Sequence, residues 1–132
     1  MTAGGTLGRI CQDGEVVIRQ GEAGDCLYVV QEGEFEIVHE LDGRETVLRV
    51  ARKDEIFGEM GIFEKAVRSA TVRARGAGRV LTLDKKNFMR RINEDPTLAF
   101  RVVETMSRRV RQLSDQVAEL TRELQRRGTG QP

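Results

Sequence analysis

From Gly14 to Asp84 the apolar residues come in short runs and alternations, whereas beyond Asp95 they recur every three or four positions. The first pattern is that of strands and the second that of a helix with one apolar stripe. Val16, Val17 and Ile18 form one short run and Leu27 to Val30 another, and Phe35, Ile37 and Leu41 then keep a period of two up to Asp42-Gly43. Asp-Gly between two such stretches predicts a tight hairpin, because a type I′ turn needs positive φ at both central residues. Arg44 to Val50 is the return strand. Asp13-Gly14, Gly21, Gly24-Asp25 and Gly33 supply further turn signals, one about every ten residues, which fits an antiparallel barrel or sandwich. Two more strands are expected at Ser69 to Arg75 and Arg79 to Asp84, separated by Gly76-Ala77-Gly78.

Strand character then stops. Asp84 is placed to cap a short helix reaching about Asn93, and Asp95-Pro96 opens the last element with a cap and a proline at the first helical position. In that element Ala99, Val103, Met106, Val110, Leu113, Val117, Leu120 and Leu124 are spaced alternately four and three. This is a heptad seam, and valine at successive a positions with Met or Leu at d suits a parallel two-stranded coiled coil. A helix of about thirty residues spans about 45 Å, longer than a small barrel can cover, so its far half needs a partner. The alternative is a helix that folds back on its own barrel. Arg109, Gln116 and Glu123 at g face Ser114, Thr121 and Gly128 at e, so no interhelical ion pair sets the register and dimerisation rests on the apolar seam.

Composition narrows the function. The chain has 132 residues, room for one ordinary domain, and its net charge of +1 argues against a broadly basic nucleic-acid coat. With no Trp, one Tyr and five Phe there is little with which to stack single-stranded bases. No apolar run approaches a membrane span, no secretory signal is visible, and two cysteines are too few for a disulfide scaffold. A cytoplasmic protein with no membrane contact is the expectation. His39 is the one histidine and neither Cys11 nor Cys26 is spaced to share a metal with it, so no metal site and no cofactor is expected. No nucleophile or acid–base pair stands in a recognisable context, which predicts a protein that is not an enzyme. The clusters Arg90-Arg91, Arg108-Arg109-Arg111 and Arg126-Arg127 are expected as solvated helix faces, without nucleic-acid contact by this segment.

Chemistry concentrates between Phe57 and Thr71. Gly58 and Gly61 allow close backbone approach and leave amide N–H groups to face an anion, the more so if the segment from Gly58 forms a short helical turn. Glu59 offers an acceptor for hydroxyls and Arg68 a planar fork for a phosphate. Together they describe a nucleotide pocket; the alternative is a surface ion pair between the two.

Phe57-Gly58-Glu59, the apolar run after it, and Arg68-Ser69-Ala70-Thr71 resemble the phosphate-binding cassette of the cyclic-nucleotide-binding domain family, including the separation between Glu59 and Arg68. The likeness extends to Gly14 to Glu22, Gly24 to Val30 and Gly33 to Phe35, similar to the start of that family's β-roll. It continues through Leu81 to Asp84 with Phe88, and Pro96 to Arg111, similar to its last strand, hinge helix and long C-helix. Within the family the overall likeness is to the sensor half of catabolite-activator-type regulators, where Met106-Ser107-Arg108-Arg109-Val110 has a similar counterpart. Val67 stands where the family often has proline, and Leu113-Ser114 where those sensors carry Thr-Ser.

The resemblance implies a mainly β fold with C-terminal helices: an antiparallel β-roll, or double-stranded β-helix (jelly roll), then a short hinge helix and a long coiled-coil-like C-helix. Residues 1–132 are expected as a single domain, with a loose lead-in at 1–12, the roll at 13–84, the hinge helix and dimerising C-helix at 85–127 and a disordered tail at 128–132. The implied ligand is a cyclic mononucleotide, cAMP in preference to cGMP. Glu59 binds the ribose 2′-hydroxyl, Arg68 the cyclic phosphate, the backbone of Gly58, Met60, Gly61 and Ala70 completes the cradle, Ser69 adds a hydroxyl, and Ser114 reaches the base. The implied role is a regulatory sensor that works through movement of its C-terminal helices and forms a homodimer along Val103, Met106, Val110, Leu113, Val117, Leu120 and Leu124. The alternatives are a dimerisation scaffold with a repurposed pocket, or the sensor half of a transcription regulator lacking its DNA-binding domain.

Overall fold

The computed structural model describes residues 8–64 and 67–129. Residues 1–7 of the lead-in expected at 1–12, Lys65 and Ala66 within the cassette, and residues 130–132 of the tail expected at 128–132 lie outside the described residues. The strands are β1 (Arg9–Cys11), β2 (Val16–Ile18), β3 (Cys26–Leu41), β4 (Arg44–Ala51), β5 (Ile56–Phe57) and β6 (Thr71–Asp84); the helices are α1 (Met60–Phe63), α2 (Lys85–Glu94) and α3 (Pro96–Thr129). All strand pairs are antiparallel, in the order β1-β6-β3-β4, with β2 also on β6 and β5 also on β3. This is the expected mainly β architecture with C-terminal helices. The chain divides into a unit that ends at Glu94 and a second that begins at Asp95. Among the described residues no helix is long and apolar enough to cross a membrane.

The hairpin between β3 and β4 forms where Asp42-Gly43 predicts it, with φ of 52° and 77° at the two central residues. The glycines at 33 and 76 to 78 behave differently from expectation. They do not reverse the chain: β3 and β6 are each continuous, and their register slips between Val30 and Glu34 on β3, opposite Arg75 to Val80 on β6. Gly33 and Gly76 have φ of 79° and 80°, and a Cβ on Gly33 would sit 2.5 Å from the Ala77 carbonyl oxygen. Both long strands therefore bend together at a bulge, where backbones pack too closely for side chains.

Three further boundaries differ from expectation. Arg9–Cys11 is not loose lead-in but β1, in register with β6 from Arg9↔Val80 to Cys11↔Gly78, and Cys11 is fully buried. Its signal is a single inward residue, too short for a period to show. β6 starts at Thr71, leaving Ser69 and Ala70 outside the strand, and α3 continues through Gly128 to Thr129 rather than giving way to a tail at 128.

The core of the first unit gathers Cys11, Ile18, Val30, Phe35, Phe57, Val72 and Val80 from five strands. Asp84 caps α2 as expected, its Oδ1 accepting from the Asn87 N–H at 2.7 Å, and Phe88 buries that helix against the roll's end. In the second unit Asp95 Oδ1 accepts from the Thr97 N–H at 3.0 Å, with Pro96 at the first helical position. Along α3, Val103, Val110, Leu113, Val117, Leu120 and Leu124 are exposed and Met106 half-buried.

Candidate functional site

The cassette begins in the core. Phe57 is buried, pairs with Tyr28 across the β3–β5 ladder, and stacks on its ring at 5.1 Å and 12°; on the other side it meets Phe35 at 5.7 Å. Two aromatic contacts fix where the next residues leave the sheet. Gly58, with φ of 75°, turns the chain, and Glu59 takes the capping position of the single-turn α1 without using its carboxylate to cap it. The expected helical turn is present, but its amides are not all directed at an anion. The Gly61 N–H donates to the Gly58 carbonyl at 3.1 Å, and the Ile62 N–H to that of Glu59 at 3.0 Å.

Arg68 reaches this turn from the other side. Its Nη1 donates to the Gly58 carbonyl at 2.9 Å and its Nη2 to the Cys26 carbonyl at 2.8 Å, with the Cys26 Sγ at 3.7 Å. An ideal Cβ on Gly24 would lie 2.0 Å from Arg68 Nε, one on Gly61 2.6 Å from Nη1, and one on Gly58 3.2 Å from Nη1. The guanidinium is thus lodged against three glycines, and a Cβ at Gly24 or Gly61 would force it to move. Its main chain is clamped as well: the Arg68 N–H donates to Glu22 at 2.8 Å, its carbonyl accepts from Gly21 at 2.9 Å, and Val67 bridges to Ala23. Arg68 is 9% exposed and Glu59 2%, so the surface ion-pair alternative does not hold. Among the described residues no carboxylate pairs with Arg68, and its hydrogen bonds go to neutral acceptors.

The sequence profile of the cyclic nucleotide-binding domain matches residues 9–95, which holds the roll, the cassette and α2. The chain belongs to the cyclic nucleotide-binding domain family. An uncharacterized ABC transporter ATP-binding protein of Mycobacterium tuberculosis is 48% identical over 82 residues, 61% of this chain but only 25% of that protein. The catabolite activator protein of Thermus thermophilus superposes with a TM-score of 0.76 at 27% identity, over 86% of this chain and 54% of that one. The regulatory domain of Toxoplasma gondii PKA, solved with cAMP, gives a TM-score of 0.58 at 34% identity, over 61% of this chain and 31% of that one. The chain thus spans about a quarter of the curated relative and about half of the Thermus regulator.

Within this cyclic nucleotide-binding domain the expected ligand residues of the cassette lie on one stretch of surface and core. Gly58, Gly61 and Arg68 meet directly, Glu59 is buried beside them in sequence, Met60 and Ser69 are exposed, and Ala70 packs on the core. Ser114 lies exposed on α3 in the second unit. In the sequence Gly24 reads as turn punctuation and Cys26 carries no role. Of the three glycines, Gly24 leaves the least room for a Cβ beside the guanidinium, and Cys26 acts through its carbonyl, which any residue carries. Tyr28 adds a further layer: its hydroxyl accepts from the Cys26 thiol at 3.4 Å, and its phenol is pushed up from 10.0 to about 12, first by burial and then by that thiol. It stays a neutral phenol at any physiological pH.

Proposed function

We propose that this domain binds a cyclic mononucleotide at Gly58 to Gly61 and Arg68 to Ala70, with cAMP preferred to cGMP, and serves as a regulatory sensor. One observation carries the reading: Arg68 is a nine-tenths buried cation whose hydrogen bonds, among the described residues, all go to neutral groups. Carbonyls satisfy its N–H donors but leave its charge uncompensated, and a planar fork in that state suits a phosphate. Glu59 supplies the acceptor for a ribose hydroxyl, and Gly58 and Gly61 contribute by lacking a Cβ where the phosphate and guanidinium must approach. The cAMP held by the Toxoplasma domain supports that nucleotide as the first to test.

The output runs through the helices. Phe63 of α1 meets the buried Phe88 of α2 edge-on at 6.2 Å, so a shift of the cassette turn is felt by α2. Ligand binding shifts the equilibrium of the hinge from Lys85 to Pro96 to the extent that it binds one state better. The exposed α3 seam pairs with a second copy of the chain. Calorimetric titration of ligand-free protein with cAMP and cGMP is the test, with saturable binding expected for both and tighter for cAMP. The absence of both heat and competition at millimolar nucleotide overturns the reading. Sedimentation is expected to give a dimer that Leu113→Asp with Leu120→Asp converts to monomer; a wild-type monomer at high concentration removes the seam.

A further inference from the structure

The turn from Gln20 to Ala23 runs alongside the arm from Val67 to Thr71. At one end of the arm, Arg68 is held through both its main-chain groups by Gly21 and Glu22. At the other, Thr71 starts β6 and pairs with Val38. Ser69 and Ala70, two of the residues assigned to the phosphate, lie between these anchors, so their course depends on both.

The Thr71 end is closed by a ring of four hydrogen bonds through three chain segments. The buried Thr71 hydroxyl accepts from the Gln20 N–H at 3.0 Å and donates to the Glu40 carboxylate at 3.1 Å. The Gln20 side-chain amide donates to the Glu40 carbonyl and accepts from the Glu40 N–H, each at 2.8 Å. That amide behaves as one extra residue of strand laid on β3. The sheet does not depend on the ring, since the Val38↔Thr71 and Glu40↔Glu45 pairings already join these strands. What the ring adds is a tie from the end of the sheet to the turn that grips Arg68.

We infer that Gln20, Glu40 and Thr71 form a clasp that positions the Arg68 to Ala70 arm for the cyclic phosphate. They are positioning residues: they act through the backbone of the arm and touch no ligand. The clasp rests on the nucleotide reading of the cassette, and its test keeps the two apart. Titrations with cAMP and cGMP are run on the wild type, Thr71→Val, Thr71→Ser and Gln20→Ala, alongside thermal melts and amide exchange. Valine keeps the shape of threonine and removes the hydroxyl; it is expected to weaken binding about tenfold and to speed exchange at the Gly21 and Arg68 amides. Serine restores the hydroxyl and is expected to bind within about twofold of wild type, which a loss of packing alone would not allow. Gln20→Ala changes no charge and is expected to weaken binding about threefold; it decides alone if Thr71→Val fails to fold. Wild-type affinity in Thr71→Val and Gln20→Ala, or a loss in Thr71→Ser equal to that in Thr71→Val, overturns the clasp while leaving the cassette reading intact. A wild type that binds neither nucleotide overturns the cassette reading, and the clasp with it.

Discussion

Arg68 and Arg73 stand one short step apart on the same arm and strand, and the protein treats their charges in opposite ways. Arg73 lies between Glu36 and Glu45, at 3.1 Å from each carboxylate, and hydrogen bonds to both raise its pKa further above its ordinary value. Arg68 is more deeply buried and meets the carbonyls of Gly58 and Cys26 instead. The same fork is filled in both cases, by anions in one and by dipoles in the other. A dipole answers the hydrogen-bonding requirement of a guanidinium without cancelling its charge, so Arg68 keeps its attraction for an incoming anion and Arg73 has spent it. Low local polarity strengthens what Arg68 retains.

That contrast can be broken most directly at Arg68 itself. Arg68→Ala is expected to weaken cyclic nucleotide binding by at least one to two powers of ten, from the loss of a charge-assisted bond of roughly 1.5–3 kcal/mol, read by calorimetry. Arg68→Lys keeps the charge without the fork and is expected to fall between the two. Gly24→Ala is the next largest effect. Its methyl would fall 2.0 Å from Nε, so the guanidinium must leave its seat, and affinity is expected to drop about tenfold. Wild-type affinity in Gly24→Ala would show that binding does not need Arg68 held against that turn.

Arg73→Ala sharpens the contrast from the other side. It is expected to lower stability by about 0.5–1 kcal/mol in denaturant titration and to leave affinity within about twofold, because its ion pairs are partly solvated. A loss of affinity like that of Arg68→Ala would mean that both cations serve the ligand. The smallest effect is at Tyr28, which steadies Cys26. Burial pushes its phenol up from the ordinary 10.0 to about 12 in the folded protein. The folded state therefore holds a proton that the unfolded state releases. This stabilisation is complete below pH 10 and is lost as pH rises toward about 12. Tyr28→Phe is expected to flatten that part of the stability profile, followed by denaturant midpoints through the window, with nucleotide affinity at neutral pH nearly unchanged.

Features that depend on neighbours in sequence were legible without the structure. Asp42-Gly43 announces its hairpin, Asp84 and Asp95-Pro96 their helix starts, and Phe57 through Arg68 the cassette, since each pattern is local. Features that depend on the partner strand were not. Gly33 and Gly76 look like turns because glycine marks chain reversal and strand bending alike, and only the opposing backbone decides between them. Cys11 carries β1 on one inward side chain. Within the site, the donors on Arg68 could be read, but its acceptors are main-chain carbonyls with no signature in residue type. Gly61 likewise looks like a free amide until the turn that occupies it is formed.

The Arg68 to Cys26 hydrogen bond joins residues 42 positions apart. Cys26 opens β3, while the strand that follows Arg68 lies against β3 all the way back to Asp84 opposite Cys26. On a ribosome, Gly24 and Cys26 emerge well before the arginine that lodges against them, and no nascent fragment ending before Arg68 can form that contact. Contacts this distant close late and slowly. A molecule that binds the folded site and not the unfolded chain would therefore stabilise the joined strands by mass action. Filling the site and completing the sheet would then favour one another.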